Sequence, residues 1–487
     1  MSGLQSYIII VISYLISRIF IDSESHEYAI RTLLPKLGTR TAALTTGILG
    51  VSYALSLFFS NTVVVLSMIP ILRYLIQQIT DENQRKILSS QWILALIYGA
   101  NIGGMGSITG SPQNVFYLAF LDLVKIQGRE HVTFFSWFMV GVPATLLLVL
   151  VASWILKIGE KKLPRSLELK WEVSGNGNPF FKRFVLFFAV NIALIFCMTA
   201  LQFFFQPGKI FLGLNIIDLF FSSYFVVFLF VACVFPRKER TFPSLFRNLV
   251  FLLLYTAFAP FIFINETVKE TRCRFRRPSI DPNGMDRRIQ AGMNSVWRTL
   301  FREPFQDLRQ KNENVFISAN RILYDLPFFG LFFMGGVTLL ALLFLKIGDN
   351  PATPGMDGLL VRFIERIANG IIPQTGGIFL FLTAVIFVAI FLTEVLNNTT
   401  VLLIMLPLVG QMSTSMGENP LLFLLAVTLA ASGAFMTPIA TPVNAVSYAS
   451  FPGVSLKRML GLGFLLNLAG GAFFTFLVFF LLNVIRF

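Results

Sequence analysis

Apolar segments of about 20 residues, the length that crosses the hydrocarbon core of a bilayer, recur along most of this 487-residue chain. Hydrophobic residues make up 55% of the sequence and charged residues only 13%, whereas soluble domains carry about 25% charge. Since no soluble core could bury so much apolar surface, the sequence predicts an all-α polytopic membrane protein. The predicted apolar spans are 7–20, 91–124 (interrupted), 136–157, 180–204, 217–235, 248–264, 327–346, 420–451 (interrupted) and 459–484.

The charge balance indicates a membrane topology and not a nucleic-acid partner. The chain has 39 Lys and Arg against 25 Asp and Glu, and the excess lies mainly between the apolar runs, as in the cytoplasmic loops of membrane proteins. The Arg-rich segment 265–326 is predicted to be a cytoplasmic insertion that faces either anionic headgroups or water. Counting of the spans then requires one apolar run not to cross, and 248–264, which contains Pro260, is expected to be that run. Three separated cysteines and two isolated histidines form no disulfide framework or metal cluster, so no cofactor is expected.

Two further apolar stretches, 41–79 and 375–416, are each interrupted by a polar cluster, SNT at 60–62 and NNT at 397–399. A continuous helix over the first stretch would be about 60 Å long, about twice the hydrocarbon thickness, so the chain must turn near the polar residues. Only about a dozen residues separate the first cluster from Arg73, enough for little more than half a bilayer. This favours a re-entrant hairpin with its tip at the midplane over an ordinary helical hairpin that turns at the surface.

The two halves of the sequence share two motifs in the same order. SNTVVVLSMIP (60–70) aligns without a gap with NNTTVLLIMLP (397–407), and GGMGSITGSPQN (103–114) aligns with GAFMTPIATPVN (433–444). Each half therefore has a hairpin with Asn-Thr at its tip and, downstream, a helix broken at a small residue followed by Ser or Thr and Pro. Two different motifs repeated in order indicate an internal duplication, which predicts an inverted repeat.

The predicted organisation follows from this repeat. The chain is expected to contain an N-terminal scaffold helix (1–24), a first repeat (25–158), scaffold helices (159–264), the basic insertion (265–326) and a second repeat (327–484). Each hairpin follows a segment with charged and apolar residues at helical spacing, which is expected to lie in the membrane interface. The parts of the first repeat are the interface helix 25–37, the hairpin 41–79, the broken helix 91–124 and the closing helix 136–157. The parts of the second are a scaffold helix 327–346, the interface helix 356–371, the hairpin 375–416, the broken helix 420–451 and the closing helix 459–484.

Interrupted helices in duplicated halves are typical of secondary transporters that bind their substrate where the halves meet. A helix that breaks inside the membrane exposes unpaired backbone groups, which are tolerated only where they line a wet or ligand-filled cavity. The N-terminal ends of the half-helices favour an anion. Carbonyl groups together with Ser, Thr and Asn oxygens suit a hard cation such as Na⁺. The pattern therefore predicts a transporter for a small anionic solute with a bound cation.

These motifs resemble those of the divalent anion/sodium symporter family, which belongs to a wider ion transporter superfamily. The resemblance lies in SNT at 60–62, TEVLNNT at 393–399, and the loops at 110–114 and 440–444 that read Gly or Ala, Ser or Thr, Pro, any residue, Asn. It implies a homodimer in the plasma or inner membrane, whose transport domains move against scaffold domains as an elevator. It also implies coupling to sodium, with dicarboxylates, tricarboxylates or sulfate as substrates.

The resemblance also implies site residues by their position in the motifs. The implied substrate-binding residues are Asn61, Thr62, Ser111, Pro112, Asn398, Thr399, Thr441 and Pro442. The implied first sodium site takes Ser56, Ser60, Asn61 and Gly110, and the second takes Thr393, Leu396 through its backbone, Asn398 and Ala440. Two departures from the family pattern touch these sites: Asn397 replaces the usual Ser, and Ser111-Pro112-Gln113 replaces Thr-Pro-Pro.

Other functions stay open on the sequence alone. A sodium-independent anion exchanger and a cation/proton or arsenite-type antiporter of the same superfamily are the alternatives. Glu394 is the one carboxylate within a hairpin stretch, and it could contact a cation, carry a proton or anchor the hairpin arm, the last being slightly favoured. A membrane-embedded enzyme is the least favoured class, because the hairpins offer no His, no Cys and no paired carboxylates.

Overall fold

The computed structural model describes residues 3–22, 25–158, 163–167, 169, 179–205, 209–211, 214–229, 377–451 and 453–484. Four predicted elements lie outside these residues: the run 248–264, the insertion 265–326, the scaffold helix 327–346 and the interface helix 356–371. The chain divides into two compact units, one made of Met1–Phe221 with Met334–Phe487 and the other of Ser222–Phe333. The described part of the second unit is limited to residues 222–229.

The first half of the chain is a series of helices. They are α1 (Gly3–Asp22), α2 (Ser25–Leu33) with a 3₁₀ turn at Leu34–Leu37, α3 (Thr41–Ser56), α4 (Asn61–Gln77), α5 (Glu82–Gly106), α6 (Pro112–Val124) and α7 (Phe134–Ile158). The start of α5 is explained by a capping side chain. The Asp81 carboxylate accepts hydrogen bonds from the backbone N–H groups of Asn83 (2.8 Å) and Gln84 (3.1 Å) and so caps α5.

Two helices and a short ribbon follow α7. They are α8 (Pro179–Phe205), the antiparallel strands β1 (Lys209–Phe211) and β2 (Leu214–Asn215), and α9 (Ile216–Leu229). The described helices of the second half are α10 (Gly377–Thr393), α11 (Asn398–Ser415), α12 (Pro420–Ala431), α13 (Pro442–Ala449) and α14 (Leu456–Val484). Apart from the short ribbon, the described elements are helical, which confirms the predicted all-helical class.

Three described helical segments are long and apolar enough to cross a bilayer: Phe134–Ile158, Phe184–Phe204 and Leu456–Val484. Their outer faces carry exposed apolar side chains, among them Trp154 and Phe476. In a bilayer such faces meet lipid, so their exposure needs no further partner, whereas every backbone polar group must be paired within the helix.

The packing of the two halves follows one scheme. In the first half α3 and α4 pack on α5, and α5 packs on α7; in the second α10 and α11 pack on α12, and α12 packs on α14. The two halves also contact each other: α13 packs against α4, and α6 packs against α11. The central helices are the most enclosed: every residue from Leu88 to Gly106 in α5 is buried. The broken ends of both halves therefore meet in the interior of this unit.

Candidate functional site

The two polar clusters lie where one helix ends and the next begins. α3 ends at Ser56 and α4 starts at Asn61, while α10 ends at Thr393 and α11 starts at Asn398, so four residues separate the helices in each half. The hydroxyl that ends the first helix contacts the amide oxygen that starts the second. Ser56 Oγ lies 2.5 Å from Asn61 Oδ1, and Thr393 Oγ1 lies 2.6 Å from Asn398 Oδ1.

Each of these hydroxyls also contacts the neighbouring central helix. Ser56 Oγ lies 2.8 Å from the Ala100 carbonyl oxygen, and Thr393 Oγ1 lies 2.9 Å from that of Ala431. A hydroxyl has one hydrogen to donate, so it cannot satisfy both oxygen neighbours at once. With the amide oxygen facing the hydroxyl, as in these contacts, one close oxygen pair in each half is left without a hydrogen between its members.

The loop after each central helix is closed by an asparagine. Asn114 Nδ2 donates to the carbonyl oxygens of Gly104 (2.8 Å) and Ser107 (2.7 Å). Asn444 Nδ2 makes the matching bonds in the second half, to the carbonyl oxygens of Ala434 (3.1 Å) and Thr437 (2.9 Å). These pairs occupy the same places in the two aligned motifs, 103–114 and 433–444. The same side chain thus stabilises the same backbone turn twice.

The loops are also tied to the hairpin tips. The Ser107 hydroxyl donates to the Leu57 carbonyl oxygen in the first half, and the Thr437 hydroxyl donates to the Glu394 carbonyl oxygen at 2.6 Å in the second. Leu57 and Glu394 are the residues directly after the first helix of each hairpin. Tip and loop are therefore held together in one polar region in both halves.

The Asn61 amide lies among oxygen atoms. The position of its Oδ1 is 2.5 Å from Ser56 Oγ, 3.0 Å from the Gly110 carbonyl oxygen and 3.1 Å from the Ala100 carbonyl oxygen. If the amide were rotated by 180°, its nitrogen would donate hydrogen bonds to these atoms. With the oxygen in this position, four oxygen atoms face one another, and a cation between them would remove their mutual repulsion.

Space around this oxygen cluster is limited by glycine. A Cβ added to Gly110 would lie 2.5 Å from the Ser56 carbonyl oxygen and 2.9 Å from Gly104 Cα. Any side chain at Gly110 would therefore push the loop away from the hairpin tip. The matching position in the second half is Ala440, which is buried.

Four helices begin at this region, α4 and α6 from the first half and α11 and α13 from the second. Ser111 and Thr441 occupy the N-cap positions of α6 and α13, and their side-chain oxygens accept from the backbone N–H groups of Gln113 (3.4 Å) and Asn444 (3.1 Å). Pro112 and Pro442 follow at the first helical position, where the missing N–H is not needed. Helix starts carry unpaired N–H groups and a partial positive charge, which favour an anion.

The structure brings together some of the predicted site residues and places the others beside them. Ser56, Asn61 and Gly110 share the first oxygen cluster, and Thr393 contacts Asn398 in the second half. The remaining predicted residues lie at helix starts or in the adjoining turns. These are Ser60 at the N-cap of α4, Thr62 and Thr399 in the first turns of α4 and α11, Leu396 in the turn before α11, and Ala440 in the loop before Thr441.

Glu394 is held by a set of donors that the sequence does not reveal. Its Oε1 accepts from the backbone N–H groups of Phe435 (2.7 Å) and Met436 (2.8 Å) and from Asn467 Nδ2 (2.7 Å). Its Oε2 accepts from the backbone N–H of Thr437 at 2.8 Å. Four N–H donors around one buried carboxylate match its acceptor-only chemistry. Glu394 therefore anchors the loop of the second half, the role that the sequence slightly favoured.

Asn101 is a second residue that the sequence comparison missed. It is buried in α5, and its Nδ2 donates to the Ala434 carbonyl oxygen (2.8 Å) and to Asn444 Oδ1 (3.2 Å) in the second half. Its matching position in the repeat is Ala431, so the alignment of the halves gave no signal there. The described residues contain no group of three or more His, Cys, Asp or Glu side chains that could hold a metal ion.

Paired helix breaks inside a bundle of apolar helices, lined by backbone ends and small polar side chains, define a membrane transporter. The chain belongs to the citrate transporter family (CitMHS), whose sequence model matches residues 3–268 and 361–486. This match confirms the resemblance to the divalent anion/sodium symporters and their superfamily. The protein is thus a multi-pass membrane transporter and not an enzyme.

The individual relatives share about a quarter of their residues with this chain. The chain is 24% identical to a sodium-dependent dicarboxylate transporter of Staphylococcus saprophyticus over 476 residues, which cover 94% of this chain and 72% of the relative. It is 26% identical to an uncharacterized transporter of Methanocaldococcus jannaschii over 428 residues, covering 87% and 70%. Among solved structures, the YdaH transporter of Alcanivorax borkumensis is similar with a TM-score of 0.46 and 11% identity, covering 97% of this chain and 85% of that chain.

Proposed function

We propose that this protein is a sodium-coupled symporter of small dicarboxylates or tricarboxylates. The observation that carries the proposal is the oxygen cluster at the first hairpin tip. Its members are the hydroxyl of Ser56, the amide oxygen of Asn61 and the carbonyl groups of Gly110 and Ala100. With the Asn61 amide oxygen inward, this oxygen lies 2.5 to 3.1 Å from the other three, and all four are neutral oxygen ligands.

Neutral oxygens of this kind suit a monovalent cation. A divalent ion such as Ca²⁺ or Mg²⁺ is usually bound with the help of carboxylates, and the described residues around the first tip supply none within the cluster. The second tip repeats the contact between a hydroxyl and an amide oxygen through Thr393 and Asn398, at 2.6 Å. We therefore assign one sodium site to each tip, with Ser60 completing the first and Leu396 and Ala440 completing the second.

The substrate is proposed to bind between the two tips. Asn61, Thr62, Asn398 and Thr399 start two of the helices, and their side chains can donate hydrogen bonds to carboxylate oxygens. The loops at Ser111-Pro112 and Thr441-Pro442 start the other two helices and would face the second end of the anion. Two sodium ions beside these groups would offset the charge of a dianion before it moves across the membrane.

The names of the relatives support carboxylates over sulfate. The staphylococcal relative is named for sodium-dependent dicarboxylate transport, and the family is named for citrate. An antiporter would need a carboxylate free to exchange protons or cations, and the hydrogen bonds of Glu394 to four N–H groups engage both of its oxygens. This supports symport over the antiporter alternative.

The hairpins are proposed to be re-entrant, and the halves to form an inverted repeat. α3 and α4 have 16 and 17 residues, and α10 and α11 have 17 and 18. At about 1.5 Å per residue they measure roughly 24 to 27 Å, less than the hydrocarbon thickness. By contrast, α7 has 25 residues and α14 has 29. We propose further that both hairpins move as an elevator in a homodimer in the plasma or inner membrane, with residues 1–24 in the scaffold.

Uptake by proteoliposomes tests this proposal. Purified protein is reconstituted, and the uptake of labelled succinate, citrate and sulfate is followed with an inward sodium gradient or with potassium in its place. The proposal expects sodium-dependent accumulation of succinate or citrate above that of sulfate. If none of these anions accumulates under a sodium gradient in protein that is folded and reconstituted, sodium-coupled carboxylate transport is wrong.

A further inference from the structure

Asn101 connects the two halves at the point where their broken ends meet. It lies in α5 with 3% of its surface exposed, and its Nδ2 donates to the Ala434 carbonyl oxygen (2.8 Å) and to Asn444 Oδ1 (3.2 Å). Ala434 lies in the loop of the second half, and Asn444 lies in the first turn of α13, directly after that loop. An amide that rotated by 180° would turn its oxygen toward these two oxygens, so the contacts fix the orientation of the Asn101 side chain.

This orientation directs Asn101 Oδ1 toward the hairpin tip of the first half. Asn61 Nδ2 lies 3.5 Å from Asn101 Oδ1, at the long end of a hydrogen bond. When Asn61 makes this contact, its own Oδ1 faces the oxygens of Ser56, Gly110 and Ala100. When the Asn61 amide rotates, its nitrogen donates to those oxygens instead, and its oxygen then faces the oxygen of Asn101.

The two orientations of the Asn61 amide have different consequences. With the nitrogen inward, the cluster satisfies itself with hydrogen bonds and has no coordinating amide oxygen. With the oxygen inward, the cluster presents oxygens alone and suits a cation. Asn101 favours the second orientation, because it accepts from the Asn61 nitrogen and opposes the Asn61 oxygen.

We propose that Asn101 is a positioning residue that sets the sodium affinity of the first tip. It holds the Asn61 amide with its oxygen inward, and it is itself held by the loop of the second half. A displacement of the 434–444 loop would thus weaken sodium binding at a site in the other half. This inference rests on the proposed sodium site at Asn61.

The second half has no positioning residue at the place that matches Asn101. Its matching residue, Ala431, has no side-chain donor or acceptor. In agreement with this, the buried Oδ1 of Asn114, the counterpart of Asn444, has no hydrogen-bond partner within the described part of the chain. The two tips are therefore expected to differ in how strongly each depends on the opposite half.

The test compares Asn101→Ala and Asn101→Ser with Thr428→Val. Thr428 is a suitable control because it is also buried in a central helix, and its hydroxyl donates to the Leu424 carbonyl oxygen of its own helix (2.8 Å). Sodium affinity is measured in two ways: as the sodium concentration for half-maximal uptake of the transported carboxylate, and as the sodium dependence of the melting temperature in detergent.

Loss of the hydrogen bond that Asn101 Oδ1 accepts from Asn61 predicts a ~3–10-fold weaker sodium affinity in both Asn101 variants. The maximal uptake rate at saturating sodium should stay within about twofold of the unmodified protein, which separates positioning from general damage. Thr428→Val should leave sodium affinity unchanged. If Asn101→Ala does not fold, Asn101→Ser alone decides the test, since the serine side chain leaves a smaller cavity than alanine does.

An unchanged sodium affinity in a folded Asn101 variant would overturn the inference, as would a shift of the same size in Thr428→Val. A failure of the proposed function has a different signature. In that case the unmodified protein itself shows no sodium dependence in uptake or in melting, whereas the failure of the inference leaves the sodium dependence of the unmodified protein intact.

Discussion

The two hairpin tips are built alike, but the loops that support them are held in different ways. In the first half α5 stays helical as far as Gly106, so its backbone N–H groups are paired within the helix. In the second half α12 already ends at Ala431, and the N–H groups of residues 435–437 are free of helical partners. These groups donate to the Glu394 carboxylate.

The matching positions explain this difference. Leu57 stands in the first half where Glu394 stands in the second, and both are buried. Gly141 of α7 packs close to the Gly106 carbonyl oxygen, and Gly463 of α14 packs close to Met436 Cα. One helical turn beyond these glycines, α7 carries Thr145 while α14 carries Asn467, which donates to Glu394 at 2.7 Å.

The comparison teaches that the tip chemistry and its support can vary separately. The N–H groups in a helix donate to carbonyl groups of the same helix, so they need no acceptor from neighbouring elements. An irregular backbone inside a membrane needs external acceptors, and a buried carboxylate supplies them at the cost of its own burial. The second half thus depends on one ionisable side chain in a way that the first half does not.

The largest effect is expected from Glu394→Leu, which gives the second half the residue of the first. Three backbone N–H groups and the Asn467 amide would lose their acceptor. At about 1–3 kcal/mol for each unsatisfied buried donor, we expect the free energy of unfolding to fall by more than ~4 kcal/mol. Leu57→Met, which keeps an apolar residue of similar volume in the first half, should cost less than ~1.5 kcal/mol. Unfolding in mixed micelles measures both values, and a Glu394→Leu protein as stable as Leu57→Met would contradict the anchoring role.

A smaller effect is expected from exchanging the small residues beside the two sodium sites. In Gly110→Ala the added Cβ would lie 2.5 Å from the Ser56 carbonyl oxygen, so the loop must shift. If the overpacking cost of about 1–3 kcal/mol falls on the sodium-bound state, sodium affinity becomes about 5- to 150-fold weaker. Ala440→Gly removes a methyl group and should change sodium affinity by less than about threefold. The sodium dependence of uptake checks both, and equal effects of the two exchanges would show that the tips do not differ in this respect.

The smallest effect is expected at the N-cap of α11, where the tips differ in sequence. Asn397 is exposed, and its side chain accepts from the backbone N–H of Thr399 at 2.9 Å. Ser caps a helix about as well as Asn, so Asn397→Ser should change stability by less than ~0.5 kcal/mol, whereas Asn397→Ala should cost ~1 kcal/mol. Melting temperatures of the three proteins decide this. A loss in Asn397→Ser as large as that in Asn397→Ala would mean that the amide does more than cap the helix.

Much of this arrangement could be predicted from the sequence because it repeats. Apolar runs of helix length predicted the all-helical class, which is confirmed, and the polar clusters at 60–62 and 397–399 lie at helix starts in the structure. The comparison of the halves drew attention to Asn61 and Asn398, because the same residue occupies the matching position in both motifs. The assignment of these residues to sodium and substrate stays a prediction.

The parts that could not be predicted are those that break the repeat. Asn101 and its acceptor Ala434 are 333 positions apart, and Glu394 and Asn467 are 73 apart. No local pattern links such residues, and the alignment pairs Asn101 with Ala431 and Glu394 with Leu57, which conceals their roles. A polar residue within a buried apolar helix was the available signal for Asn101, and a carboxylate within an apolar stretch was the signal for Glu394.

Equilibrium binding of radioactive sodium to purified protein tests most directly whether each of the two tips binds one sodium ion. The variants are Asn61→Ala, Asn398→Ala and the double variant, with Thr428→Val as a folded control. The account predicts that each single variant binds one sodium ion fewer per chain than the unmodified protein, and that the double variant binds two fewer. Single variants that bind as many sodium ions as the unmodified protein would contradict it.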